Sequence, residues 1–215
     1  QNTLSIYHTN IRSLPKHYNN LTEHLKLFEN TPDIITLSDS YLTNDTKRDS
    51  YRLPNYDHKH EKDVSVYTKR DMHITYVDDI ELPDAATIII QIHKNKYKNN
   101  PIHTIINLYR RPHQSIPDFL TNIQSAIHDI HTKSPNTSIT IHGDININLL
   151  EPTREMTNFM IENNLHTTIT TPTRYDEQHG TATLIDVTLT TLTDTQTTAG
   201  TISPPITDHL PICTI

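Results

Sequence analysis

The chain has 215 residues, 33% of them hydrophobic, and a formal net charge of −7 at pH 7. The length suits one sizeable domain, and the charge excludes a protein whose whole surface adheres to nucleic acid. The single cysteine, Cys213, excludes an intrachain disulfide and favours a reducing compartment. No apolar run is long enough to span a bilayer, so no membrane partner is expected.

The low apolar share leans toward disorder, but the apolar residues fall in periodic runs, so a folded domain is expected. Trp is absent and Gly occurs only 3 times, whereas Thr, Asn, His and Pro abound. The abundant types share codons rich in A and C. Nucleotide bias accounts for them, and the 15 histidines are therefore not read as metal ligands.

Leu4 to His8 alternates like a half-buried strand, and Asn10 to Pro15 is a turn. Tyr18, Leu21, Leu25 and Phe28 share a helical face. Asp33 to Leu37 is a second strand, and residues 43–63 read as polar and irregular. Val64 to Thr68 and His73 to Val77 read as a strand pair. Thr87 to Ile92 and His103 to Leu108 are β-branched strands joined by a basic loop, His93 to Asn100. Ser115 caps a helix with Pro117 in its first turn and an apolar face of Ile116, Phe119, Leu120, Ile123, Ile127 and Ile130. Ser138 to Ile141 is a strand running into Gly143-Asp144, and Arg154 to Asn163 is a second amphipathic helix. Strands over Leu184 to Leu189, Thr201 to Ser203 and Leu210 to Ile215 complete the chain. With no repeat and no linker, this mixture predicts a single domain, with a mixed sheet or two packed sheets flanked by helices.

Polar residues recur where apolar strands end: Asn10, Asp39, Tyr109, Asp144 with Asn146, Asp186, and Asp208 with His209. Strand ends on one edge of a sheet can converge. Carboxylates and an amide oxygen suit a hard cation such as Mg²⁺. In such a site Asp144 would hold or deprotonate the attacking water, and Asn146 would orient it or donate to a phosphate oxygen. His209 would donate to the phosphate, with Asp208 fixing its tautomer. Taken singly, each residue has a structural reading. Gly143-Asp144 is a turn, Asp208-His209 a capped loop, Asp186 a satisfied buried carboxylate, Asn10 an Asx turn, and Arg110-Arg111 solvated charge. The ordered combination favours chemistry.

The runs Asn10 to His17, Asp33 to Leu42, Leu108 to Pro112, Ile141 to Leu150, Thr171 to Arg174, Thr183 to Asp186 and Thr207 to Ile212 resemble, in this order, the endonuclease domain of non-LTR (LINE-type) retrotransposons. The wider group is the exonuclease-endonuclease-phosphatase superfamily, which includes the apurinic/apyrimidinic endonucleases. The resemblance covers nearly the whole chain. It implies a four-layered α/β sandwich, two mixed sheets packed face to face with helices outside. It implies a Mg²⁺-dependent nick, with Mn²⁺ as an alternative ion, in one strand of double-stranded DNA. The resulting 3′-hydroxyl primes reverse transcription. By the same resemblance, residues 1–215 are one domain of a longer polyprotein that carries a reverse transcriptase and acts in the nucleus.

Residue by residue, the resemblance places Asn10 and Asp39 at the metal, and Tyr109 and Asn146 at the scissile phosphate. Asp144 positions the nucleophilic water, Asp186 belongs to the polar network, and Asp208 orients His209. Arg12, Arg110, Arg174 and Thr183 face the DNA. Loops around Lys94 to Asn100 and Arg174 to His179 are candidates for reading the target. The chain departs from the family pattern at Asp39, where Glu is usual, at Tyr41, where Trp is common, and at Ile145, where an aromatic usually sits. The rival readings are a same-fold phosphodiesterase acting on another substrate, and a weakly active or inactive DNA-binding module.

Overall fold

The computed structural model describes residues 3–42, 48–95 and 100–215. The first part of the chain forms β1 (Ile6–Asn10), β2 (Ile34–Ser38), β3 (Tyr56–Glu61), β4 (Val64–Lys69) and β5 (Ile74–Val77). It continues with β6 (Ala86–Ile92), β7 (His103–Tyr109), β8 (Ser138–Asp144), β9 (His166–Thr167) and β10 (Arg174–Asp176). The last strands are β11 (Thr181–Thr183), β12 (Asp186–Thr190), β13 (Ala199–Thr201) and β14 (Ile212–Thr214). The helices are α1 (Leu14–Leu25), α2 (Ile116–Lys133) and α3 (Arg154–Glu162).

Among the described residues, two six-stranded sheets form, ordered β13-β14-β1-β2-β4-β3 and β5-β6-β7-β8-β12-β9. Both are mixed: β1 runs parallel to β2, and β7 parallel to β8, while their other pairings are antiparallel. The strands β10 and β11 make a separate hairpin.

Alternation along the strands sends side chains to two faces, and three apolar layers result. Tyr7, Ile35, Leu37 and Tyr67 pack with Leu14, Leu21 and Leu25 of α1 on the outside of the first sheet. Ile106, Leu108, Ile141, Val187 and Leu189 pack with Phe119, Ile123, Ile127 and Ile130 of α2 and with Met156 and Phe159 of α3 outside the second. Between the sheets lie Ile6, Ile34, Val64, Val66, Ile88, Ile90 and Ile105. The result is the four-layered sandwich that the family resemblance implies. Ser115 Oγ accepts from Asp118 N and starts α2, and Thr153 Oγ1 accepts from Met156 N and starts α3.

The middle layer is polar toward one side. Thr188 Oγ1 on β12 meets Thr214 Oγ1 on β14 at 3.1 Å. Asn107 Nδ2 on β7 donates to the carbonyls of Leu37 and Ser65. The rings of His8 on β1 and His142 on β8 lie 6.1 Å apart, centroid to centroid. These groups cross from one sheet to the other.

Three expectations are corrected here. The runs at Val64 and His73 are not partners: β4 pairs with β2 and β3, whereas β5 pairs with β6 in the other sheet. Residues 43–63 are not wholly irregular, because Tyr56–Glu61 is strand β3. It is an edge strand, and edges carry charge to deter pairing with other chains, so its apolar signal is weak. Phe28 lies just past α1 rather than within it, yet packs against the same core. Of the basic loop, residues 96–99 lie outside the described residues. No helix among the described residues is long and apolar enough to cross a membrane.

Candidate active site

The parallel pairs decide where the site lies. Asn10 is in register with Ser38, so β1 and β2 end side by side and Asn10 stands beside Asp39. In the second sheet, Tyr109 is in register with Asp144 at the ends of β7 and β8. Asp186, the first residue of the antiparallel β12, is in register with Asp144 on its other side. The two sheets then meet: Asn10 Nδ2 donates to Asp144 Oδ2 at 2.8 Å.

Gly143 makes this register attainable. Its φ is +152°, and a Cβ added there would lie 1.9 Å from the Leu108 carbonyl oxygen. Gly143 and Asp144 therefore belong to strand β8, not to the turn that Gly-Asp suggests in isolation. The Asp144 carboxylate is fixed at both oxygens, because Asn146 N donates to Oδ1 at 2.9 Å. Asn146, at φ +50°, gives its own side-chain N–H to the Arg110 carbonyl at 2.7 Å.

The last segment brings His209. Thr207 Oγ1 donates to the Asn10 carbonyl and accepts from His209 N, which pins this segment to the end of β1. Arg174 and His209 form a bridge, and Leu210 N donates to the Thr173 carbonyl, so the β10 hairpin holds the other side. Thr183 is in register with Arg174 on that hairpin.

His209 Nδ1 bonds to Asp186 Oδ2 at 2.7 Å, with both side chains buried. This corrects the expectation that Asp208 orients His209. His209 is buried in the cluster, whereas Asp208 lies partly exposed at its edge, where its two oxygens pair with Arg12 Nε at 2.7 Å and Arg174 Nε at 3.0 Å. Asp208 thus ties two arginines together at the rim.

Arg110 is a second correction. It was expected to be a solvated or DNA-facing charge, but it is 1% exposed. Its guanidinium donates to the carbonyls of Ile145, Asn146, Gln114 and Arg111. With its hydrogen bonds spent on backbone, it braces the loop that carries Asn146. Arg12 and Arg174, in contrast, keep part of their surface in solvent.

The electrostatics follow from this burial. Burial, and after it the Asp186 charge, raise the Asp144 pKa far above the ordinary carboxylate range, against the opposing pull of His209, Asn10 and Asn146 N–H. Burial works against a charged His209, but Asp186, helped by Asp144 and Asp208, outweighs it and raises its pKa. Burial, with the charges of Asp39 and Asp144, also raises the Tyr109 pKa, so its hydroxyl keeps its proton.

Two places have the chemistry for a cation. Asp144, Asp186 and His209 offer ligand atoms within 4.8 Å of one another. Both Asp144 oxygens, Asp186 Oδ2 and His209 Nδ1, however, already hydrogen-bond to Asn10, Asn146 and each other, and the remaining Asp186 Oδ1 faces His8 Nε2 at 3.9 Å. Asp39 is the better fit. It is 8% exposed, and among the described residues its buried Oδ1 has no hydrogen-bond partner. Burial raises its pKa, and the nearby Asp63 charge adds to that. A buried carboxylate oxygen in this condition calls for a counter-charge. Asn10 Oδ1 accepts from Arg12 N and keeps a second lone pair.

Some supporting residues were not singled out from the sequence. Thr173 Oγ1 accepts from Ile185 N and Asp186 N and so fixes the start of β12. Asn148 Oδ1 accepts from Leu184 N, and Thr207 has the role described above. All three lie within motif runs, which is the signal that could have marked them.

No family model and no curated protein matches the chain. Solved structures do match it, and they are proteins of the endonuclease/exonuclease/phosphatase kind, so the chain has their fold. An AP endonuclease from Archaeoglobus fulgidus is 17% identical, with 99% of each chain covered and a TM-score of 0.70. The endonuclease domain of TRAS1, a telomere-specific non-LTR retrotransposon, is 12% identical over 99% of this chain and 97% of that one, also at 0.70. A humanized TDP2 of D. rerio is 15% identical over 98% of each, at 0.70.

Proposed function

We propose that this chain is a metal-dependent phosphodiesterase that nicks one strand of double-stranded DNA and leaves a 3′-hydroxyl. The observation that carries the reading is one buried, hydrogen-bonded cluster built from both sheets, in which Asp144 and the Asp186–His209 pair face each other. Asp39 and Asn10 would hold a divalent cation such as Mg²⁺, which when bound polarises a phosphoryl oxygen and offsets charge on the leaving oxygen.

The chain's own residues supply the rest. Asp144, with its pKa raised, is matched to accept the proton of an attacking water near neutral pH. Asp186 accepts a hydrogen bond from His209 Nδ1–H and leaves the other ring nitrogen for a phosphate oxygen. With its pKa raised, His209 carries a proton there that stabilises the charge building in the transition state. The Tyr109 hydroxyl stays protonated and adds a second donor. Arg12, Arg174 and Thr183 line the rim, where neighbouring phosphates of a duplex would lie.

The ordered motifs, together with the likeness to the TRAS1 domain, favour the retrotransposon type. On that reading the 3′-hydroxyl primes reverse transcription by a polymerase domain of the same polyprotein, in the nucleus.

The test is conversion of supercoiled plasmid to relaxed circle in Mg²⁺, with a chelator control. Wild-type protein should nick, and His209→Ala should lose at least about a hundredfold in rate. Plasmid that stays supercoiled with wild type refutes the nuclease. A gel shift in Ca²⁺ without nicking in Mg²⁺ would identify a DNA-binding module instead.

A further inference from the structure

The two oxygens of Asp186 are held unequally. Oδ2 bonds to His209, whereas Oδ1 is buried and has no hydrogen-bond partner among the described residues. His8 Nε2 lies 3.9 Å from that oxygen, and it too is buried without a partner among the described residues. Two unsatisfied polar atoms of complementary kind thus face each other in a site closed to water. Leaving both so is costly, and a modest turn of the imidazole would satisfy both.

His8 is placed for this by its strand. It lies two residues before Asn10 on β1, so both side chains fall on the same face, toward the second sheet. Its other nitrogen, Nδ1, is 3.0 Å from Thr36 Oγ1. The Thr36 hydroxyl has one proton and a longer alternative acceptor, the Tyr7 carbonyl at 3.3 Å. Given to His8 Nδ1, that proton leaves the ring hydrogen on Nε2, aimed at Asp186. The His142 ring closes the far side.

We propose that His8 is a positioning residue whose Nε2–H grips Asp186 Oδ1, so that Asp186 presents Oδ2 to His209 in a single orientation. The chain from Thr36 through His8 and Asp186 to His209 then runs from the middle of the sandwich to the reacting phosphate. No proton moves along it. Its effect is to fix the tautomer and direction of the imidazole that does the chemistry. The consequence for turnover rests on the phosphodiesterase reading above.

Asparagine and glutamine separate this role from simple packing. His8→Asn puts its amide near Nδ1, so it keeps Thr36 but cannot reach Asp186. His8→Gln carries its amide out to the Nε2 position. The measurements are kcat and KM for nicking a duplex, the urea midpoint of each variant, and the downfield proton resonance of His209 Nδ1–H. His8→Asn should lower kcat by about tenfold or more with KM unchanged, as loss of a group behind a functional His does. His8→Gln should recover most of the rate. The His209 resonance should shift or broaden in His8→Asn and stay in place in His8→Gln.

Equal rates in both variants, with the His209 resonance unmoved, would overturn the proposal. So would equal losses that track the urea midpoints, which would make His8 a packing residue. If wild type does not nick DNA, the functional reading fails, and the resonance alone still decides the role of His8.

Discussion

Lowering the pH should unfold this protein through histidines locked away between its sheets. Burial pushes His8 and His103 down to about 4 and His142 well below 6.5. Each is neutral in the folded chain and takes its proton at the ordinary value once unfolded. Between about pH 6.5 and 4 the unfolded state therefore binds more protons, and stability falls as pH falls. A histidine moved from 6.5 to about 4 loses about 2 kcal/mol of stabilisation by pH 5. Asp144 opposes this, because its raised pKa lets the folded state take up a proton in the same range. The difference between two proteins isolates one group. In His142→Leu, a ring with two buried nitrogens lacking partners among the described residues gives way to an apolar side chain. The variant should be at least as stable as wild type at pH 7.5, and between pH 7.5 and 5 it should lose less of its stability than wild type does. Urea unfolding in chelator, followed by circular dichroism because the chain has no Trp, gives both curves. Parallel decline of wild type and variant would show that His142 is not held neutral, and would refute the reasoning.

Three further outcomes follow from the geometry. Arg110→Met keeps bulk but strips the donors from four carbonyls, and should cost about 3 kcal/mol in urea unfolding and slow nicking, since the Asn146 loop loses its brace; an unchanged midpoint would contradict that role. Gly143→Ala forces a Cβ against the Leu108 carbonyl and should cost more than about 3 kcal/mol, read as loss of soluble, folded protein on expression; wild-type stability would mean that β7 and β8 can separate freely. Arg12→Ala and Arg174→Ala should each weaken duplex binding in Ca²⁺ and reduce the slope of log affinity against log salt by about one, measured by fluorescence anisotropy. A slope unchanged in both would remove them from the phosphate path.

Much of the fold could be read from runs of β-branched residues, because a strand buried on both faces has little choice of side chain. Thr87 to Ile92 and His103 to Leu108 became β6 and β7 nearly residue for residue. Pairing was less legible. Val64 and His73 lie close in sequence yet go to different sheets, since partner choice depends on segments far along the chain. The same limit applies in the site. Asp208 is the neighbour of His209 in sequence, but Asp186, 23 positions away, is its partner in space. Arg110 looked like half of an exposed basic pair because nothing local reveals the four carbonyls that surround it. The departure at Asp39 was plain in the sequence, but not its left-handed backbone at φ +56° or its buried, unpaired oxygen.

The polar contacts between the sheets have a consequence for alignment. Oily layers slide over one another at little cost, because apolar contact is indifferent to direction. Hydroxyl and amide pairs such as Thr188 with Thr214, or Asn107 with two carbonyls of the facing sheet, have directions and so act as keys. Asn10 and Asp39 belong to one sheet, and Tyr109, Asp144 and Asp186 to the other. The spacing of the reacting groups is therefore set by dowels deep in the sandwich, and a worker tuning this site would do well to begin there.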